Sequence, residues 1–345
     1  MSQQTLPKER PVETVVPVRR GRASRSRGFE LLPILGALLV IGAVFSALRP
    51  DAFLNPFNLE SMAKAAAPLL VMGVGMTFVI ITAGIDLAVG SVLVLSGVVA
   101  AQVMIAIPSG LGMAPWAGYL IGVAAGIVVG IVVGAVAGTL VARAKITPMI
   151  VTLGTMGASL GVAQLLTRGV DVSGVPPEFA RGLGQEKLWG IIPWIVVIAV
   201  VVCVLGWLAL TFTRFGTYTF VIGSNAEAAR RAGINVNRHL MMVYALSGAC
   251  AGLAGVMSLA RFSSTTLAAH SLDNFAVITA VILGGTSLFG GIGSIQGTVV
   301  GVFIPVSLAS GLVIIGVQPF WQNIAVSVVL VVAVLIDQIR RSRRA

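Results

Sequence analysis

Residues 116–142 read WAGYLIGVAAGIVVGIVVGAVAGTLVA, a run without one charged side chain. A helix of that length rises about 1.5 Å per residue to about 40 Å, more than the roughly 30 Å hydrocarbon core of a bilayer. Within it Gly122, Gly126, Gly130, Gly134 and Gly138 recur at every fourth position. Each four-residue step drifts by about 40° on a helix, so the stripe curls by about 160° from one end to the other. Small residues at this spacing let two helix backbones approach closely in lipid, where leucine supplies no hydrophobic driving force. The stripe therefore reads as a packing face; a pore-lining glycine face is the alternative. Gly248/Gly252 and Gly297/Gly301 repeat the spacing over shorter stretches.

The rest of the chain agrees with this reading. Of 345 residues 57% are hydrophobic and 10% charged, where soluble domains carry about 25% charge. Mean hydropathy is +1.00. Disorder, a secreted disulfide scaffold and a cytosolic enzyme are excluded, leaving an all-α membrane protein. Ten apolar runs stand out, at 31–48, 62–82, 88–107, 116–142, 148–167, 191–212, 241–261, 275–289, 295–316 and 320–338. The run at 275–289 is short and enters the glycine-rich stretch 284–293. The first run is longer than a signal-peptide core and is expected to stay as a membrane helix.

Ten spans put both termini on one side of the membrane. Seventeen of the 23 Lys and Arg fall on that side: in the tail, at Arg143 and Lys145, in 213–240 and after Asp337. Arg49, Lys64, Arg168, Arg181, Lys187 and Arg261 fall on the other. Basic residues accumulate on the cytoplasmic side, so both termini are expected there. This accounts for the net charge of +11 without nucleic acid, for which no basic stretch interleaved with stacking aromatics exists. The expected domains are a disordered basic tail at 1–30, a transmembrane domain at 31–338 with a cytoplasmic loop at 213–240, and a basic tail at 339–345.

Little in the chain points to chemistry of its own. None of the four lysines follows a glycine, so no phosphate-binding Gly-Lys-Ser/Thr motif is present. Cys203 and Cys250 sit in apolar runs as small hydrophobes. His239 and His270 fall near span ends, where they are expected to be solvated. No catalytic, cofactor or metal site is expected.

One ionisable residue stands apart, Asp86 in TAGIDLAVGS at 82–91. Its neighbours Gly84 and Gly90 suit a turn or broken helix beside a solute pathway. The plainer reading makes Asp86 the cap of a helix starting near Leu87, at the cytoplasmic boundary. A faint echo of this stretch, GGTSLFGGIGS at 284–294, is consistent with an internal duplication.

The loop at 213–240 carries a more specific signal. Ser224-Asn225-Ala226-Glu227 has capping-box spacing, with Ser224 as the cap and Glu227 at the third helical position. Ala226, Ala228 and Ala229 favour helix, Arg230 and Arg231 suit its last turn, and Gly233 suits its stop. A helix over 225–232 is short for water and is expected to dock on a partner. An amphipathic helix lying on the bilayer is the alternative.

The segments TAGIDLAVGSVLVLSG (82–97), TPMIVTLGTMGASLGVAQLLTRG (147–169), RFGTYTFVIGSNAEAARRAGINVNR (214–238) and LGGTSLFGGIGSIQGTVVGV (283–302) resemble those of sugar-type ABC importer permeases. This is the ribose, xylose and galactoside branch, related to the branched-chain amino-acid permeases. The resemblance runs from about residue 30 to 338. It implies a transmembrane subunit, usually beside a second copy, driven by a cytoplasmic ATPase subunit and fed by a periplasmic solute-binding protein. Residues 225–232 then match the family's coupling helix, and the binding protein is expected to deliver substrate at the outer face, where 168–190 form the longest loop. Two departures stand out: Ala83 and Ala88 replace the family's frequent Gly and Ser, and His270–Phe275 lacks its Glu-Leu sequence. The expected cargo is a monosaccharide or similar polyol, with nucleosides, autoinducer-like sugars or branched-chain amino acids as alternatives. A self-sufficient secondary carrier or channel is the more distant reading.

Overall fold

The computed structural model describes residues 27–111, 115–268, 270 and 272–318, with 321, 324, 325, 327, 328, 331 and 335 beyond them. The chain begins with α1 (Arg27–Leu48), the short α2 (Pro50–Phe53), α3 (Pro56–Ile81), α4 (Val89–Leu111), α5 (Pro115–Ala142) and α6 (Pro148–Thr167). A connection follows, containing α7 (Pro177–Phe179), a π-helical turn at Ala180–Gln185 and a small hairpin of β1 (Lys187–Leu188) and β2 (Ile192–Pro193). Then come α8 (Trp194–Phe212), α9 (Arg214–Ser224), α10 (Ala226–Arg231), α11 (Val236–Phe262), α12 (Asp273–Leu283) and α13 (Ile295–Ile314).

Seven of these helices are long and apolar enough to cross a membrane: α3, α4, α5, α6, α8, α11 and α13. Their starts follow local chemistry. Pro56 and Pro148 open α3 and α6, where proline's missing N–H costs nothing. The Asn55 side chain caps α3 by accepting from the Phe57 amide at 2.9 Å. The basic tail at 1–30 overlaps α1, which starts at Arg27; residues 1–26 and 336–345 lie outside the described residues. Most of the run at 320–338 does too.

The run at 275–289 does not form a full-length membrane helix in this structure. Its helix, α12, has 11 residues, about 16 Å, which is half the hydrocarbon thickness. The helix stops because the chain turns at Gly285, whose φ of 87° suits glycine.

The central members are α3 and α11, most of whose residues are buried. The glycine stripe of α5 is laid against two neighbours in turn. A Cβ on Gly126 would stand 3.0 Å from the Ser96 carbonyl of α4, and one on Gly122 2.9 Å from that of Ala100. Further along, Cβ atoms on Gly130 and Gly134 would fall on the carbonyls of Gly248 and Tyr244 in α11. One on Gly138 would stand 2.9 Å from the Cα of Met241. The rotation of a four-residue repeat around the helix thus carries the stripe from α4 to α11. Gly248 and Gly252 meet Gly130 and Gly126 from the other side. The second short pair, Gly297 and Gly301, seats α13 on Gly284 and Ala280 at the end of α12.

Candidate functional site

Two non-helical stretches interrupt the bundle, at 82–88 between α3 and α4 and at 284–294 between α12 and α13. They are the two stretches whose sequences echo one another. Backbone without its own helical bonds persists at membrane depth only where protein groups satisfy it.

In 82–88 three helices supply those groups. Thr152 of α6 donates to the Ile85 carbonyl at 3.2 Å, and Asn274 of α12 donates from Nδ2 to the Leu87 carbonyl at 3.2 Å. Ser247 of α11 donates to Asp86 Oδ2 at 2.8 Å, while Asp86 Oδ1 accepts from the Ala88 amide at 3.0 Å. Ala83 holds a φ of 61°, a left-handed turn that starts the stretch. Gly84 and Gly90 are required by close approach: Cβ atoms there would stand 2.5 Å from Tyr244 Oη and 2.7 Å from the His270 carbonyl.

The expectation that Asp86 caps a helix starting near Leu87 is corrected. The helix starts at Val89, and Asp86 makes its turn two residues ahead of Ala88. Nor does Asp86 lie at a boundary. It is 5% exposed, and its partner Ser247 lies about 17 Å from the Val236 end of α11 and about 22 Å from the Phe262 end. A polar group at this depth is costly and needs partners. Tyr244 Oη, beside Gly84, is buried with no hydrogen-bond partner among the described residues.

The helix α10 runs over Ala226–Arg231 and is shorter than the 225–232 expected. Its cap is Asn225, whose Oδ1 accepts from the Ala228 amide at 2.9 Å, and not Ser224. Ser224 is the last residue of α9 and donates back to the Phe220 carbonyl at 2.9 Å, so the extended residue that caps α10 is the next one, Asn225. Glu227 instead faces Arg230 and Arg231 at 3.5 and 3.4 Å, exposed pairs that stabilise little. The helix also finds a support within its own chain: Ala229 is fully buried with Ile222 and Val236. Its outer side, with Asn225, Glu227, Ala228, Arg230, Arg231 and Gly233, stays exposed.

Sequence reasoning missed the joint that connects these parts. At Gly223 the end of α9 meets both breaks at once. A Cβ there would fall on the Ile81 carbonyl and stand 2.7 Å from the Gly291 amide. The Gly291 amide itself donates to the Ile81 carbonyl at 2.9 Å. A Cβ on Gly291 would stand 2.7 Å from Ser224 Oγ. The only sequence signal was one more glycine among 41.

The histidines are corrected as well. His239 is 2% and His270 8% exposed, so neither is solvated. His239 Nε2 pairs with Thr219 Oγ1 at 2.9 Å, fixing α9 on α11. His270 uses both ring nitrogens, Nε2 with Ser258 Oγ and Nδ1 with Asp273 Oδ2, each at 2.7 Å. Among the described residues no group of acidic, histidine and cysteine side chains has the makings of a metal site.

A multi-pass bundle with two buried breaks, joined to an exposed polar helix at one end, is the architecture of a membrane permease. The chain belongs to the family described as the branched-chain amino acid transport system / permease component, whose model matches residues 58–335. It is similar to the ribose import permease protein of Escherichia coli K12, 40% identical over 87% of this chain and 91% of that protein. The ribose import permease protein of Bacillus subtilis is 36% identical over 90% and 92%. The D-allose transport system permease protein of Escherichia coli K12 is 34% identical over 88% and 90%. No solved structure matches the chain. The protein is thus a multi-pass inner-membrane transport subunit.

Proposed function

We propose that this chain forms the solute pathway of a binding-protein-dependent ABC importer for a monosaccharide or similar polyol. It has ten spans, both termini in the cytoplasm, the permease domain at 31–338 and basic tails on either side. A separate ATPase subunit drives it, a periplasmic binding protein supplies the solute, and a second copy completes the pathway. No cofactor or metal takes part. Relatives named for ribose and allose import support the cargo.

The observation that carries the reading is the joint at Gly223. The exposed face of α10, from Asn225 to Gly233, offers the ATPase a polar docking surface. Its support, α9, ends directly on Ile81 and Gly291, at the base of both breaks. Movement of the ATPase subunits would reach 82–88 and 284–294 without crossing a flexible linker. Asp86 and Gly84 lie in the first break and Gly90 in the first turn of α4 just after it; the break's polar contacts to α6, α11 and α12 have to change if those helices separate. Interfaces packed this closely shift between discrete arrangements more readily than they deform.

The test is uptake into proteoliposomes of labelled D-ribose, D-allose and D-fructose. Transport is expected only with the ATPase subunit, ATP and the binding protein present. Uptake by the chain alone on an ion gradient would establish a secondary carrier instead. The family's description favours one second reading, apolar amino acids as cargo. A thermal-shift screen of the binding protein decides it: stabilisation by leucine, isoleucine or valine alone removes the sugar reading.

A further inference from the structure

A cavity of about 510 Å³ opens between α3, α11, α12 and α13. That size falls within the range of small-molecule sites. Its wall is mainly apolar, but polar groups meet from two sides. On one side Ser310 of α13 donates to Asn58 Oδ1 of α3 at 2.8 Å. On the other stand Arg261, at the end of α11, and Asp273, at the start of α12.

These two charged groups are held, yet not consumed by one another. Arg261 stacks its guanidinium 5.0 Å from the Phe262 ring centre. Among the described residues no carboxylate lies within ion-pair distance of it. Asp273 is fixed by His270, which is itself anchored on Ser258 of α11, and its side chain keeps 27% exposure. A guanidinium offers five donors and a carboxylate only acceptors. With an amide and a hydroxyl facing them across apolar walls, they suit a compact solute bearing several hydroxyls on a small carbon skeleton.

We propose that this cavity, with Arg261, Asp273, Asn58 and Ser310, is where the permease itself contacts a hydroxyl-bearing sugar. The proposal rests on the sugar-importer reading above and assigns the contacts to particular side chains. The floor also connects the cavity to the first break, because His270 backs onto Gly90 and Asn274 holds Leu87. A solute seated there touches α12, which holds the break that the coupling segment meets at its other end.

The test uses the full importer in nanodiscs and proteoliposomes. Arg261→Gln and Asp273→Asn are expected to lower uptake of D-ribose, D-allose and D-fructose at least tenfold. Assembly with the ATPase subunit and ATP hydrolysis without binding protein should stay at the unmodified level. Asn58→Ala is expected to change the order of preference among the three sugars. Separately, Ser61→Cys and Ala309→Cys line the cavity, whereas Cys203 and Cys250 are buried. A membrane-impermeant maleimide should label the introduced thiols from outside, and sugar-loaded binding protein should slow that labelling at least threefold. Uptake within twofold of the unmodified importer in all three pathway variants overturns the proposal. So does protection that follows anionic lipid content and ignores sugar. If the unmodified importer moves none of the three sugars, the importer reading fails first and this assignment with it.

Discussion

Replacing Gly134 by alanine isolates what the glycine stripe contributes to the bundle. The new methyl would fall on the Tyr244 carbonyl, with Gly248 Cα at 3.1 Å. Both obstacles belong to the backbone of a helix, so no rotamer change relieves them and α5 must withdraw from α11. Overpacking of this kind costs about 1–3 kcal/mol. Alanine returns up to about 1 kcal/mol because it favours helix over glycine. Gly157 in α6 is the matched control, since a Cβ there meets nothing within 4 Å. Gly157→Ala keeps the propensity gain and lacks the clash, so the difference between the two variants is the packing cost itself. Each 1.4 kcal/mol of it changes the unfolding equilibrium about tenfold. The two native thiols provide the assay, because Cys203 and Cys250 are buried and a thiol-reactive dye reports their exposure as detergent-solubilised protein is heated. Gly134→Ala should melt several degrees below Gly157→Ala. Equal melting of the two would refute the close approach of α5 to α11.

Ser247→Ala removes a donor from the buried Asp86 carboxyl and should cost about 1–3 kcal/mol in the same melt; an unchanged transition would mean the contact does not form. Asn225→Ala should weaken α10 by about 1 kcal/mol through loss of its cap, read as faster hydrogen exchange at the Ala228 amide. Ser224→Ala should leave that exchange unchanged, and the opposite pattern would restore Ser224 as the cap. Gly223→Ala drives a methyl onto the Ile81 carbonyl; sugar uptake should fall at least tenfold while the ATPase subunit still co-purifies, and near-normal uptake would remove the joint from the coupling route.

Much of this architecture is written in one-dimensional chemistry. Long uncharged runs cannot be solvated, so the helical, membrane-crossing character of the chain followed from composition, while seven of the ten expected runs are full-length membrane helices among the described residues. The boundaries of α6 were legible because Pro148 opens it and the polar Thr167-Arg168 closes it. The stripe of α5 was legible because a period of four is a property of one helix. What failed was each reading that depended on a second element. Ser224 had the spacing of a cap, but it belongs to the last turn of α9 and Asn225 takes the extended cap position. His239 and His270 seemed wet because they lay near run ends, yet neighbouring helices cover them. The run at 275–289 seemed one continuous helix because hydropathy does not register where glycine turns the chain.

The sequence by itself determined a lipid-embedded helical protein with a polar helix between the apolar runs at 191–212 and 241–261, since hydrophobic length and helix period are local quantities. Only the tertiary structure decided what that helix touches. Ile81, Gly223 and Gly291 are far apart in the chain and carry no common signal, yet they converge where backbone meets backbone. The same holds for Asp86, whose depth is set by Ser247 of α11 and not by its own flanking residues. Contacts of this kind arise from packing, and packing is where one-dimensional pattern stops carrying information.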